Sequence, residues 1–263
     1  MHRARAAVVA VVAAAALLAG CGGSTGTPSS GSSASPSSSV NGSITVFAAA
    51  SLKESFTKLG AQFEAAHPGT KVVFSFAASS ALAQQIQQGA PVDVFASAST
   101  KNMEQVVTSG AASGPTNFVK NEMEIAVPPD NPAHIATVAD LAKKGVKVAL
   151  CQAAVPCGST AHKVFTNAKV TVTPVTQEAD VKATLSKVTL GEVDAGVVYV
   201  TDVRAAGATV KGIEIPADVN ASTTYPIAAL TASTNTATAQ AFVAYVLSGE
   251  GQAVLTAAGF AAP

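Results

Sequence analysis

Two serines stand where a strand-like segment hands over to a helix-like one. The first, Ser51, follows Phe47-Ala-Ala-Ala, and the second, Ser79, follows Phe76-Ala-Ala and is itself followed by Ser80. Serine is a favoured helix cap, so one reading is that each hydroxyl closes the first turn of its helix. The other reading is chemical. Two helix N-termini with their exposed N–H groups and two hydroxyls can converge on an anion. Ligands of open parallel sheets sit at the carboxyl ends of the strands, which is where both serines fall. The residue types alone leave both readings open. Catalysis has little to build on: residues 44–263 contain no G-x-S-x-G elbow, no glycine-rich phosphate loop and no evident His/Asp constellation.

The elements that must position these serines follow from periodicity. Ile44 and Val46 begin a strand, and Leu52, Phe56, Leu59 and Phe63 then mark one face of an amphipathic helix. KVVFSFA (71–77) and VDVFASA (92–98) predict strands, separated by the helix-like SSALAQQIQQ and followed by a helix near 100–109 closed by Gly110. A second set contains strands at 122–128, 146–151, 194–200, 211–215 and 225–231, with helices opening at PCGSTAHKVF and spanning 178–190. Thr137 and Asp140 have the spacing of a capping box. Helices carrying Phe242, Val246 and Leu255 end the chain. Alternating strands and helices predict an α/β fold with mostly parallel sheets flanked by helices, and the length suits two lobes better than one sheet of about ten strands.

Composition narrows the classes of partner. Across 263 residues, 16 basic side chains balance 16 acidic ones, so no cationic surface exists to neutralise nucleic-acid phosphates. Trp is absent and aromatic residues make up 5%, which argues against a stacking platform for bases or sugars. Three cysteines are too few for a disulfide-built scaffold. Residues 1–20 read as a signal peptide: a basic start with Arg3 and Arg5 precedes an apolar run too short to span a bilayer. Leu18-Ala19-Gly20-Cys21 looks like a bacterial lipobox, which makes Cys21 the expected site of lipidation. The following residues, 22–43, contain Gly, Ser, Pro or Thr at 19 of 22 positions, and with Cys21 they read as a disordered tether. The expected location is therefore extracytoplasmic, with the body held at the cell membrane by lipid.

The body resembles the periplasmic molybdate-binding proteins of ABC transporters, within the class II solute-binding proteins. The resemblance rests on ITVFAAASL (44–52) and FAASSALAQQIQQGAPVDVFASA (76–98). It continues through VPCGSTA (155–161), EADVKATL (178–185), DAGVVYVTD (194–202) and YPIAAL (225–230). It implies a two-lobed fold with the ligand in the cleft, a first lobe of residues 44–120 plus 223–263 and a second of 121–222. It also implies ligand donors: hydroxyl and backbone groups at Ser51 and Ser79, backbone N–H groups at Cys157 and Val181, and the phenol of Tyr199. The implied protein is a monomeric carrier, not an enzyme. It has no cofactor and no metal cation, and it passes molybdate, with tungstate as a near equivalent, to a membrane permease. Another tetrahedral oxyanion such as sulfate is the alternative cargo. A donor-only site suits a dianion that carries no proton, whereas monohydrogen phosphate also needs an acceptor.

One position departs from the family pattern. Residue 157 is commonly small, and here it is Cys157, six positions after Cys151. A backbone donor tolerates that change. Outside the membrane the two cysteines are expected to pair, the alternatives being two buried thiols or, less in keeping with their spacing, a zinc site.

Overall fold

The computed structural model describes residues 40–263. The signal peptide, Cys21 and nearly all of the tether predicted above lie outside the described residues. The body begins with strand β1 (Gly42–Ala49), a single 3-10 turn (Ala50–Leu52) and helix α1 (Lys53–Ala66). It continues with β2 (Thr70–Ala77), α2 (Ser79–Gln87), β3 (Val94–Ala96) and α3 (Thr100–Thr108). A long strand, β4 (Thr116–Val127), leads to a 3-10 turn (Val138–Ala142), β5 (Val148–Cys151), α4 (Pro156–Ala168) and β6 (Thr176–Glu178). Then come α5 (Val181–Thr189), β7 (Ala195–Tyr199), α6 (Val200–Ala206) and β8 (Lys211–Glu214). The chain closes with β9 (Ser222–Ala229), α7 (Thr236–Leu247) and α8 (Gly249–Ala258).

Strand order is β2-β1-β3-β9-β4-β7-β5-β6, with β8 on the other side of β4. Pairs of β1 with β2 and β3, and of β5 with β6 and β7, are parallel as expected. The strands in the middle differ. β9 runs antiparallel to β3 and β4, and β4 runs antiparallel to β7 and β8, so the sheet is mixed. The reason lies in β4, which is longer than the 122–128 expected. Its residues Thr116–Glu122 pair with β9, while Met123–Val127 pair with β7 and β8. We use "first lobe" for the part on β1–β3 and β9, and "second lobe" for the part on β5–β8.

Each lobe has its own apolar interior. In the first, Phe56, Leu59 and Phe63 of α1 are fully buried with Ile44 and Val46 of β1 and Phe242 of α7. Gly60 is what lets α1 lie on the sheet, because a Cβ there would stand 2.5 Å from the ring of Phe74. In the second, residues between Met123 and Ile215 form a core that also takes in Ala50 and Ala78 of the first lobe. Those two alanines precede Ser51 and Ser79, so the lobes meet at the strand-to-helix junctions. The capping box is present as its spacing suggested, with Asp140 Oδ2 accepting from Thr137 N–H at 2.8 Å. The helix expected from 178 starts at Val181, because Thr176–Glu178 instead extend the sheet beside β5.

Candidate functional site

Ser51 and Ser79 are buried, at 5% and 1% exposure, and neither is a helix cap. The cap positions are Ala49, Leu52 and Ala78, and none makes a side-chain cap bond. The cap reading is thus set aside by geometry. The hydroxyls look elsewhere: Ser51 Oγ lies 2.8 Å from Tyr225 OH, and Ser79 Oγ accepts the Ala98 N–H at 2.8 Å. Having accepted from the backbone, Ser79 keeps its own proton to donate. The first-turn N–H groups of both helices also have no side-chain acceptor.

The second lobe supplies donors of another kind. α4 opens with Pro156 at its first position, where the missing N–H costs nothing. The next residue is Cys157, joined to Cys151 at the end of β5, with their Cα atoms 5.8 Å apart. Gly158 completes the fit, since a Cβ there would fall 2.0 Å from the Gln152 carbonyl oxygen. The start of α4 is thereby held against the end of β5, and its cap residue Val155 offers no side-chain acceptor. In α5, Asp180 caps the helix and accepts the N–H groups of Lys182 and Ala183 at 2.8 and 3.0 Å. Thr184 N–H goes to the Asp180 carbonyl. Of the first turn, only the Val181 N–H is left without a partner from its own helix or cap.

Tyr199 ends β7, and its hydroxyl is buried close to the Thr160 and Tyr225 hydroxyls but without a well-aligned hydrogen bond among the described residues. Burial pushes this phenol well above its usual range, so it stays protonated and can donate. An unpartnered buried hydroxyl is costly unless something accepts from it.

All five residues line one cavity of about 20 Å³, together with Ala50, Ala77, Ala78, Pro156 and Asp180. Organic ligands need pockets of hundreds of Å³, whereas this space has room for about one water molecule. No Lys or Arg lines it, and the Asp180 carboxylate is spent on the α5 cap. The positive character of the cavity comes from the N-terminal ends of α2, α4 and α5 and the 3-10 turn before α1. Lys182, in the first turn of α5, is engaged by carboxylates: its Nζ pairs with Asp202 at 2.9 Å and with Glu54 of the first lobe at 2.7 Å.

Sequence reasoning missed the residues behind the cavity wall. Tyr225 of β9, Asn121 of β4 and Thr201 of α6 are buried and form a hydrogen-bonded chain ending at Ser51. A buried polar residue in the apolar run YPIAAL was the one available signal. Nothing local ties Tyr225 to a serine 174 positions away.

The chain is similar to known proteins over most of its length. Residues 44–261 match the family model for bacterial extracellular solute-binding proteins. The molybdate-binding protein ModA of Mycobacterium tuberculosis is 43% identical over 222 residues, covering 84% of this chain and 85% of that protein. Among solved structures, the periplasmic molybdate-binding protein of Azotobacter vinelandii superposes with a TM-score of 0.75 at 21% identity, covering 84% of this chain and 99% of that one. The sulfate-binding protein SubI of Mycobacterium tuberculosis gives 0.74 at 17% identity, covering 84% and 86%. At those identities the two structures share the fold, which is of the two-lobed periplasmic binding type.

Proposed function

This chain belongs to the family of bacterial extracellular solute-binding proteins, and from that premise we propose that it captures molybdate, and also tungstate, for an ABC permease. The observation that carries the reading is the convergence of Ser51, Ser79, Cys157, Val181 and Tyr199 on one small cavity without a cationic side chain. The likeness to a molybdate-binding protein at 43% identity supports the choice of ion.

The chemistry follows from the donors. Molybdate is a tetrahedral dianion without a proton at neutral pH, so every oxygen seeks donors and none offers one. Hydroxyl, phenol and backbone N–H groups replace its hydration shell, and helix N-termini spread the compensating charge over several dipoles. Because no fixed cation is involved, release does not require breaking a full ion pair. Sulfate has the same charge and no proton, so cavity size must separate the two, molybdate being the larger tetrahedron. Tungstate is nearly the same size as molybdate. Nearer the N-terminus, Leu18-Ala19-Gly20-Cys21 favours a lipid anchor at Cys21.

Titration calorimetry with molybdate, tungstate, sulfate and phosphate tests the reading. The expected result is tight 1:1 binding of the first two and much weaker binding of the others. Absence of binding to molybdate, alongside binding of sulfate or phosphate, would overturn the assignment of the ion.

A further inference from the structure

The direction of the Ser51 hydroxyl is set by a chain of buried groups in the cavity wall. The chain begins at a donor that cannot reverse. Glu122 N–H donates to Asn121 Oδ1 at 3.1 Å, which fixes that amide and leaves its Nδ2 facing inward. Nδ2 donates to Thr201 Oγ1 at 2.7 Å and, more weakly, to Tyr225 OH at 3.4 Å. The Tyr225 oxygen therefore receives a proton from one side and must place its own on the other. Of the two groups hydrogen-bonded to it, Asn121 Nδ2 can only donate, so the acceptor is Ser51 Oγ at 2.8 Å. Tyr225 is fully buried, which pushes its phenol above the usual range and keeps that proton in place. Ser51 Oγ, having accepted from Tyr225, is left with its own hydrogen to direct into the cavity.

We propose that Asn121 and Tyr225 are positioning residues which lock Ser51 as a donor, so that the cavity excludes oxyanions carrying a proton. The proposal rests on the reading of the cavity as an oxyanion site. It adds a reason for selectivity that size alone does not supply. Monohydrogen phosphate matches molybdate in charge at pH 8 but has one P–OH that needs an acceptor. Ser51 and Ser79 each already accept one hydrogen bond from the protein side, which turns the hydroxyl hydrogen of each toward the ligand and makes donation the favoured role of both. Ser79 is filled by a backbone N–H and is beyond the reach of side-chain substitution. Ser51 is filled by side chains, so its direction can be changed.

Asn121→Asp is nearly isosteric and reverses the chain. A carboxylate accepts the Tyr225 proton, Tyr225 then accepts from Ser51, and the serine lone pair faces the cavity. Tyr225→Phe removes the donor to Ser51 while keeping the ring contacts with Phe118, Tyr199 and Phe260. Calorimetry at pH 8 on wild type and both variants reads affinity for molybdate and for monohydrogen phosphate. The added charge in Asn121→Asp weakens both dianions alike, so it cancels in their ratio. The expected result is a loss of about 100-fold for molybdate in Asn121→Asp and a phosphate-to-molybdate ratio raised at least about 10-fold. In Tyr225→Phe the ratio should move the same way by a smaller factor. Adding Ser51→Ala to either variant should bring the ratio back toward that of Ser51→Ala alone. If wild type binds molybdate and both variants keep its ratio within about two-fold, the relay is wrong whatever happens to stability. If wild type binds no oxyanion, the functional reading falls and the relay falls with it.

Discussion

The two lobes present the same cavity with donors of different chemistry. The first lobe offers hydroxyls, at Ser51 and Ser79, each held in place by a partner behind it. The second offers backbone N–H groups at Cys157 and Val181, held by helix geometry, and the phenol of Tyr199, which lacks a well-aligned hydrogen bond. Side-chain donors can be deleted by a substitution that leaves the backbone alone. Backbone donors survive almost any substitution except proline. A disulfide can therefore occupy a cavity-lining position in the second lobe, as Cys157 does, without removing the backbone N–H.

The largest effects are expected in the first lobe. Ser51→Ala or Ser79→Ala removes a donor to a buried dianion, worth about 1.5–3 kcal/mol, so molybdate affinity should fall by about 10- to 150-fold. Each change also strands a buried group, the Tyr225 hydroxyl or the Ala98 N–H, and should cost about 1–3 kcal/mol of stability. Calorimetry and thermal unfolding on the same preparations read both losses. Affinity close to wild type with stability alone reduced would remove the hydroxyls from the site.

In the second lobe affinity and stability should separate. Val181 is the first residue of α5, where proline is well tolerated, and Asp180 before it is extended at φ −155° and ψ 177°, as a residue preceding proline prefers. Val181→Pro should lower affinity by about 10- to 150-fold with the helix intact, judged by circular dichroism. Val181→Ala keeps the N–H and should leave affinity within about two-fold, although it thins the core and lowers the melting temperature. Equal affinities for the two variants would mean that this backbone donor plays no part.

Tyr199→Phe should give the smallest loss, about 10-fold in affinity, because part of the gain from an unanchored hydroxyl is spent on fixing its rotor. Stability in the absence of ligand should hold or rise, since the substitution deletes a buried polar atom that has no well-aligned hydrogen bond. A clear fall in stability would show that the hydroxyl has a partner of its own. The second lobe would then resemble the first.

Much of this organisation is local and therefore readable in the chain. The burial face of α1, the capping box at Thr137 and Asp140, and the strand-to-helix junctions at FAAAS, FAASS and VPCGS depend on neighbours a few positions apart. Ser51 and Ser79 were candidates from two of those junctions, whereas Cys157, Val181 and Tyr199 followed from the family likeness alone. β4 was legible only in its second half. Its first half, Thr116–Asn121, carries polar residues whose burial depends on β9, and Asn121 is 1% exposed.

Tertiary structure decided which groups the donors lean on. Tyr225 reaches Ser51 across 174 positions, and Lys182 reaches Glu54 across 128. Such contacts arise from the register of β4 with β9 and from the meeting of the lobes at Ala50 and Ala78. Residue types and spacing determine which atoms can donate, because that is a property of the side chain and of its place in a helical turn. The direction of each proton depends on what lies behind the oxygen, and only the folded chain brings that group there.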